Sequence, residues 1–124
     1  MRTLHVQGFT GSGISIAVID TGFPTVNTGS AFARMRSNNQ IKHVYNFISK
    51  NTDVYNTSLN SHGTNCLGII GGYLDGIFVG AAPDADFLFI RNRRWNQRNS
   101  EEELYWIQAA EEADERELML FLPL

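Results

Sequence analysis

Cysteine is almost missing from this chain. Cys66 is the single one among 124 residues, so no intrachain disulfide can form and no redox compartment can be read from cysteine usage. Lysine and arginine never gather into a long block, and the net charge is −3, so nucleic acid is not an implied partner. No apolar run approaches the length needed to span a bilayer, which removes a membrane role from the expectations. The opening Met1-Arg2-Thr3-Leu4-His5 does not lead into the apolar core of a signal peptide. The expectation is a cytosolic protein, or one whose targeting segment lies outside this chain. Internal repeats and an obvious domain boundary are also missing, and the length suits one modest domain.

What the chain does contain is organised around Ser15-Ile16-Ala17-Val18-Ile19-Asp20-Thr21-Gly22. The apolar run reads as a strand buried on both faces, ending in a carboxylate and a turn. Ahead of it, 3–10 is short and mixed, and Gly11-Ser12-Gly13 makes a flexible turn. Beyond it, 31–36 can form a short helix, 41–48 alternates loosely as a second strand, and the polar stretch 51–61 is expected to be an exposed loop. His62-Gly63-Thr64 opens a helix in which Cys66, Ile69, Ile70 and Tyr73 share one face. Gly68, Gly71 and Gly72 point to close packing there. Strands follow at 77–79 and 87–90, and Arg91 to Asn99 reads as a solvated basic loop. Ser100 with Glu101, Glu102 and Glu103 makes a capping box for a helix running to about Arg116 and burying Leu104, Ile107 and Ala110. A last apolar run covers 118–122. Strands alternating with helices predict an α/β fold with a mostly parallel sheet.

Asp20 admits three readings. In the blandest, an aspartate before Thr-Gly caps a turn and does nothing else. In the second, apolar-apolar-Asp-Thr-Gly is half of an aspartic-protease site completed by a second copy, with Leu67-Gly68-Ile69-Ile70-Gly71 as its supporting segment and two carboxylates sharing a proton. That fold is almost all β and has no place for the helix after Ser100. In the third, Asp20 fixes one nitrogen of His62 and leaves the other to act as a base. Cys66 lies four residues after His62, a spacing that places both on one helical face and could hold a metal. With no further Cys/His cluster, no metal site is claimed and a core role for the thiol is expected. Asp53, Asp75, Asp84 and Asp86 form no calcium loop. Gly11-x-Gly13 precedes its strand, the wrong order for a dinucleotide fingerprint. No cofactor is expected.

Three segments in order resemble the subtilisin-like serine proteases. Gly11 to Gly22 resembles the family's catalytic-aspartate segment, and Ser61-His62-Gly63-Thr64-Asn65-Cys66-Leu67-Gly68-Ile69-Ile70 its His-Gly-Thr helix. Gly80-Ala81-Ala82-Pro83-Asp84-Ala85 resembles the Gly-x-Ala-Pro-x-Ala segment that follows. Thr3-Leu4-His5 and the helix with Leu104, Trp106, Ala109 and Ala110 are similar to family elements as well. The resemblance spans about Leu4 to Asp114. It implies a subtilisin-like sheet flanked by helices, with residues 1–124 as the incomplete N-terminal part of one catalytic domain. It also implies serine-type endopeptidase activity on polypeptides, and a parent protein that is secreted or extracellular. Catalytic roles fall on Asp20 and His62, and a substrate contact on Gly63. Some family members bind calcium. The family's nucleophilic serine and oxyanion asparagine belong to a C-terminal half that these residues do not include, and Ser100, lacking a Gly-Thr-Ser-x-Ala context, cannot replace the serine. Where the family's Ser-Leu-Gly strand should follow, the chain reads Glu115-Arg116-Glu117-Leu118, as a truncated or out-of-frame end would. Alone the chain is expected to be inactive, with the remainder of the domain as its implied partner.

Overall fold

Period-two geometry along one strand decides where the Asp20 carboxylate points. The computed structural model describes residues 2–94, positions 104, 107, 108, 110 and 111, and 119–121. Ser15–Asp20 forms β1, and every residue after Ser15 is buried. Because alternate side chains leave opposite faces of a strand, Ile16 and Val18 share a face with Asp20. Ile16 and Val18 pack with Leu67, Phe87, Phe89, Met35 and Phe23 in the main core, whereas Ile19 joins Ile90 and Phe47 on the other side. Asp20 is therefore the polar end of the face that meets the helix carrying Leu67.

The remaining elements assemble around that strand. A short helix α1 (Arg2–Val6) lies ahead of β1. After β1, a 3₁₀ turn (Ser30–Phe32) runs into α2 (Ala33–Ser37), and β2 (Ile41–Asn46) follows. Helix α3 (His62–Gly71) leads into a two-residue antiparallel hairpin, β3 (Tyr73–Leu74) and β4 (Phe78–Val79). Strand β5 (Asp86–Arg91) and strand β6 (Met119–Phe121) complete the described elements. The main sheet has the order β2-β5-β1-β6, and all three pairings are parallel. Ile16 stands opposite Phe87 on one side and Met119 on the other. The parallel α/β sheet expected from the sequence is present, and the antiparallel hairpin forms a separate two-stranded sheet.

Several local expectations are corrected. The segment at 3–10, read as mixed, begins with α1. The buried face of α3 is Gly63, Leu67 and Gly71, with Ile70 partly buried, while Ile69 is 67% exposed. The predicted stripe of Cys66, Ile69, Ile70 and Tyr73 thus sits too far round the helix, because glycines, which carry no hydrophobic signal, make the closest contacts. The 51–61 loop is not wholly exposed: Val54 is fully buried, and its carbonyl accepts the Phe23 amide at 2.7 Å. Arg91 is no solvated loop residue but the buried end of β5, whose Nε donates to the Thr21 carbonyl at 2.9 Å. Leu104 and Ile107 are helical as expected, yet 53% and 48% exposed, since periodicity finds an apolar face without saying whether anything lies on it. The capping box at Ser100 and the helix end near Arg116 lie outside the described residues.

The Gly-x-Ala-Pro segment has a clear structural role. The last carbonyls of a helix have no partner within it. Here the Gly80 amide donates to the Gly72 carbonyl, Ala81 to Ile69 and Ala82 to Ile70, at 2.7, 3.1 and 2.7 Å. The Pro83 carbonyl then accepts Arg34 Nη1 at 3.0 Å and Gln40 Nε2 at 2.8 Å, joining this segment to α2 and the start of β2.

Two glycines of α3 separate close packing from mere helix geometry. A Cβ on Gly71 would come within 2.5 Å of Phe87 Cζ and 3.0 Å of Met35 Cε, whereas one on Gly68 would meet only Phe32 at 3.9 Å. The substitution Gly68→Ala is expected to stabilise the fold by up to about 1 kcal/mol through helix propensity. Gly71→Ala is expected to cost about 1–3 kcal/mol by overpacking. Thermal unfolding of both variants checks the opposite signs.

A second prediction concerns acid. The Thr10 hydroxyl, together with the hydrogen bond and charge of the Arg34 guanidinium, holds the Asp84 carboxyl below the usual carboxylate range against an opposing effect of burial. A carboxylate whose folded-state value is depressed contributes stability above its unfolded value, lost as pH falls through the folded one. The Asp84–Arg34 pair is about one-third exposed, so the effect is expected to stay under about 1 kcal/mol. Asp84→Asn should flatten the decline in melting temperature below about pH 4, near the unperturbed carboxylate value.

Candidate active site

Strand β1 ends where the first turn of α3 begins, and a missing side chain lets them touch. Any Cβ on Gly63 would run into the Gly22 carbonyl oxygen and reach 3.0 Å from Asp20 Cβ and 3.2 Å from Phe23. The helix start is fixed from outside by two further bonds. Asn60 Oδ1 accepts the His62 amide at 2.8 Å, and Thr64 Oγ1 donates to the Pro24 carbonyl at 2.7 Å. The three residues of His-Gly-Thr thus contribute separately: an imidazole, a close approach and an anchor. Gly63, on which the resemblance put a substrate contact, is buried, and the side where a Cβ would stand is filled by this chain's own atoms.

The approach sets Asp20 against His62. His62 Nδ1 lies 2.8 Å from Asp20 Oδ2 and 3.1 Å from Oδ1. A carboxylate only accepts, so the proton of this contact belongs on Nδ1, which leaves Nε2 carrying the lone pair of the neutral ring. Asp20 is fully buried, while the His62 side chain is 27% exposed, so the pair runs from the interior toward solvent. Burying a carboxylate costs several kcal/mol unless donors meet it. The Thr21 amide and Oγ1 donate to Oδ1 at 2.6 and 3.0 Å. The turn itself is clamped by Arg91 on the Thr21 carbonyl, and the Asn92 amide donates to the Asp20 carbonyl at 3.1 Å. Burial draws the Arg91 guanidinium below its ordinary value, helped by Arg94. Asp-Thr-Gly is therefore a turn with bonds to its own carboxylate, as the blandest reading expected, but the same carboxylate also faces the imidazole.

Cys66 stands one helical turn after His62. Its sulfur is 3.8 Å from Nε2 and 3.9 Å from Nδ1, and burial together with the Asp20 charge pushes its thiol upward, against a smaller opposing effect of Arg93. Spacing alone pairs Cys66 with His62; that Asp20 belongs to the same cluster follows only from the fold, since the three ligand atoms lie within 4.8 Å of one another. Elsewhere, Asp84, one of the acids weighed for calcium, is bound to Arg34.

Comparison with known proteins bears on the family and the fold. Residues 11–116 match the family model described as "Subtilase family" (Peptidase S8). An "Extracellular serine protease" of Serratia marcescens is 35% identical over 107 residues, covering 86% of this chain and 10% of that protein. Among solved structures, MycP1 with its N-terminal propeptide removed superposes with a TM-score of 0.64 at 25% identity, over 94% of this chain and 33% of that one. The MycP3 protease of the type VII (ESX-3) secretion system gives 0.70 at 23% identity, over 94% and 32%. The chain thus spans about a third of those solved chains and far less of the curated relative. With residues 11–116 matched by the family model and 86% of its length aligned at 35% identity to the Serratia relative, the chain belongs to the subtilase family.

Proposed function

We propose that this chain supplies two members of a serine-protease triad, Asp20 and His62, with the nucleophilic serine and the oxyanion donor coming from outside these 124 residues. The observation that carries the reading is the 2.8 Å contact between His62 Nδ1 and a fully buried Asp20 carboxylate, with the imidazole reaching toward solvent. In this role Asp20 holds the tautomer and stabilises the imidazolium. His62 Nε2 takes the proton from the serine hydroxyl as it attacks a peptide carbonyl and later gives it to the departing amine. The substrate is a polypeptide, and the complete enzyme is an endopeptidase that works outside the cytoplasm. The name of the Serratia relative supports that location. By itself the chain is inactive, because the catalysis that survives loss of a triad member depends on oxyanion and substrate sites that also lie elsewhere.

A fluorophosphonate probe should label a longer product of the same locus and leave the 124-residue chain unlabelled. Labelling of the short chain would overturn the assignment of the nucleophile. In the longer product, Asp20→Asn is expected to lower kcat/KM by about 10⁴-fold, the order met in other Ser-His-Asp triads. A loss below about tenfold in a folded variant would remove Asp20 from the triad. Acid-optimal cleavage blocked by a pepstatin-type inhibitor would instead restore the aspartic-protease reading. Downstream coding sequence, read in three frames, should contain Gly-Thr-Ser-x-Ala.

A further inference from the structure

Strand β5 carries its backbone past the Asp20–His62 pair and out of the sheet. Arg91 is level with Asp20 in the parallel register, and the amide of the next residue, Asn92, donates to the Asp20 carbonyl at 3.1 Å. Asn92 is still buried, Arg93 is partly buried and Arg94 is exposed, so the chain emerges just beyond the carboxylate. At about 3.3 Å per extended residue, Arg93 begins within about 7 Å of the end of β5. Parallel sheets take their ligands in the crevice outside the carboxyl ends of their strands, and Arg93 stands at that rim.

The charge of Arg93 is felt at the site. Its guanidinium acts on the Cys66 thiol, whose sulfur is 3.8 Å from His62 Nε2, the nitrogen assigned to proton transfer. The neighbouring Arg94 is felt at Arg91 instead. What sets Arg93 apart is that the chain does not use its donors. Arg34 pairs with Asp84, Arg36 donates to the Val26 and Gly29 carbonyls, and Arg91 donates to the Thr21 carbonyl. Among the described residues, Arg93 has no ion pair or hydrogen bond. The site's own carboxylate, Asp20, is fully buried and already engaged by Thr21 and His62. A partly buried guanidinium of this kind gains most from an anion that arrives with a ligand and displaces the water around it. Its planar fork suits a carboxylate in particular.

We propose that Arg93 selects polypeptide substrates carrying an aspartate or glutamate close to the scissile bond, its guanidinium pairing with that carboxylate while His62 works on the bond itself. The effect on cleavage rests on the triad reading, whereas recognition of the acidic peptide rests on Arg93 alone. Arg93 touches substrate in this role and takes no part in the proton transfers.

The test uses the longer product and peptides in which glutamate or glutamine is placed in turn at each position flanking the cleaved bond. At one position kcat/KM is expected to favour glutamate by about fivefold, with the preference shrinking in high salt. Arg93→Gln should bring that ratio to about one, and Arg93→Lys should keep most of it. Arg93→Glu should reverse it in favour of lysine at the same position. Each readout is a ratio within one preparation, so partial folding of a variant does not move it. No glutamate preference in the unaltered protein, or a preference that persists in Arg93→Gln, overturns the proposal. Affinities of the same peptides, measured by fluorescence anisotropy, separate it from the triad reading. Hydrolysis without a glutamate preference removes Arg93 and leaves the triad. Arg93-dependent binding of glutamate peptides to a longer product that hydrolyses none of them overturns the triad and leaves Arg93 its role in binding. Absence of both overturns both.

Discussion

Everything at this site depends on the backbone of α3 reaching the end of β1 with no side chain between them. Gly63 against the Gly22 carbonyl is that contact. Without it, the helix start would stand off by a side chain's thickness, and an imidazole that must meet a carboxylate at hydrogen-bonding distance would miss it. Hydrogen bonds weaken steeply with distance and misalignment, so an ångström here decides whether the pair exists. The surrounding bonds, from Thr64 to Pro24, from Arg91 to Thr21 and from Phe23 to Val54, keep the two backbones pressed together. Beneath them, Phe23 stacks on Phe89 with ring centroids 4.9 Å apart, so the loop carrying Gly22 is seated on the core as well as tied at its edges.

The sheet and the site differ in how they could be read from the chain. Ile16 to Ile19 and Phe87 to Ile90 are continuous apolar runs, and such runs declare buried parallel strands directly. The pairing of Asp20 with His62 is legible because each stands at the end of a recognisable element, a strand and a loop-to-helix junction. Arg91 is not, since a cation at the end of an apolar strand looks the same whether it turns outward or donates to a buried carbonyl. Val54 is hidden for a related reason: one valine in a polar stretch has no periodicity, and only the Phe23 amide reaching its carbonyl reveals it. The face of α3 escapes the sequence because hydrophobic patterning is blind to glycine, and glycine is what makes the tightest contacts there. Helical spacing places Cys66 beside His62, but its proximity to Asp20 is a property of the fold.

The motifs acquire separable physical meanings. His-Gly-Thr combines chemistry, approach and anchorage in three consecutive residues. Gly-x-Ala-Pro satisfies the carbonyl end of α3, and so holds the far end of the helix whose near end carries the imidazole. Loosening the segment at 80–82 would be felt at His62 through a rigid element, without any residue of that segment approaching the reacting groups.

The strand order has a consequence for how the chain acquires its structure during synthesis. β1 sits inside the sheet, yet both of its neighbours come much later, at Asp86–Arg91 and Met119–Phe121. On a ribosome adding about 5–20 residues per second, the apolar run of β1 therefore waits on the order of ten seconds for its last partner. Parallel pairing of distant segments is intrinsically slow, because loop closure must precede any gain from the contact. The segment that holds the Asp20 carboxylate is thus also the one exposed longest to the wrong company, and shielding of that nascent strand becomes part of making the Asp20–His62 pair.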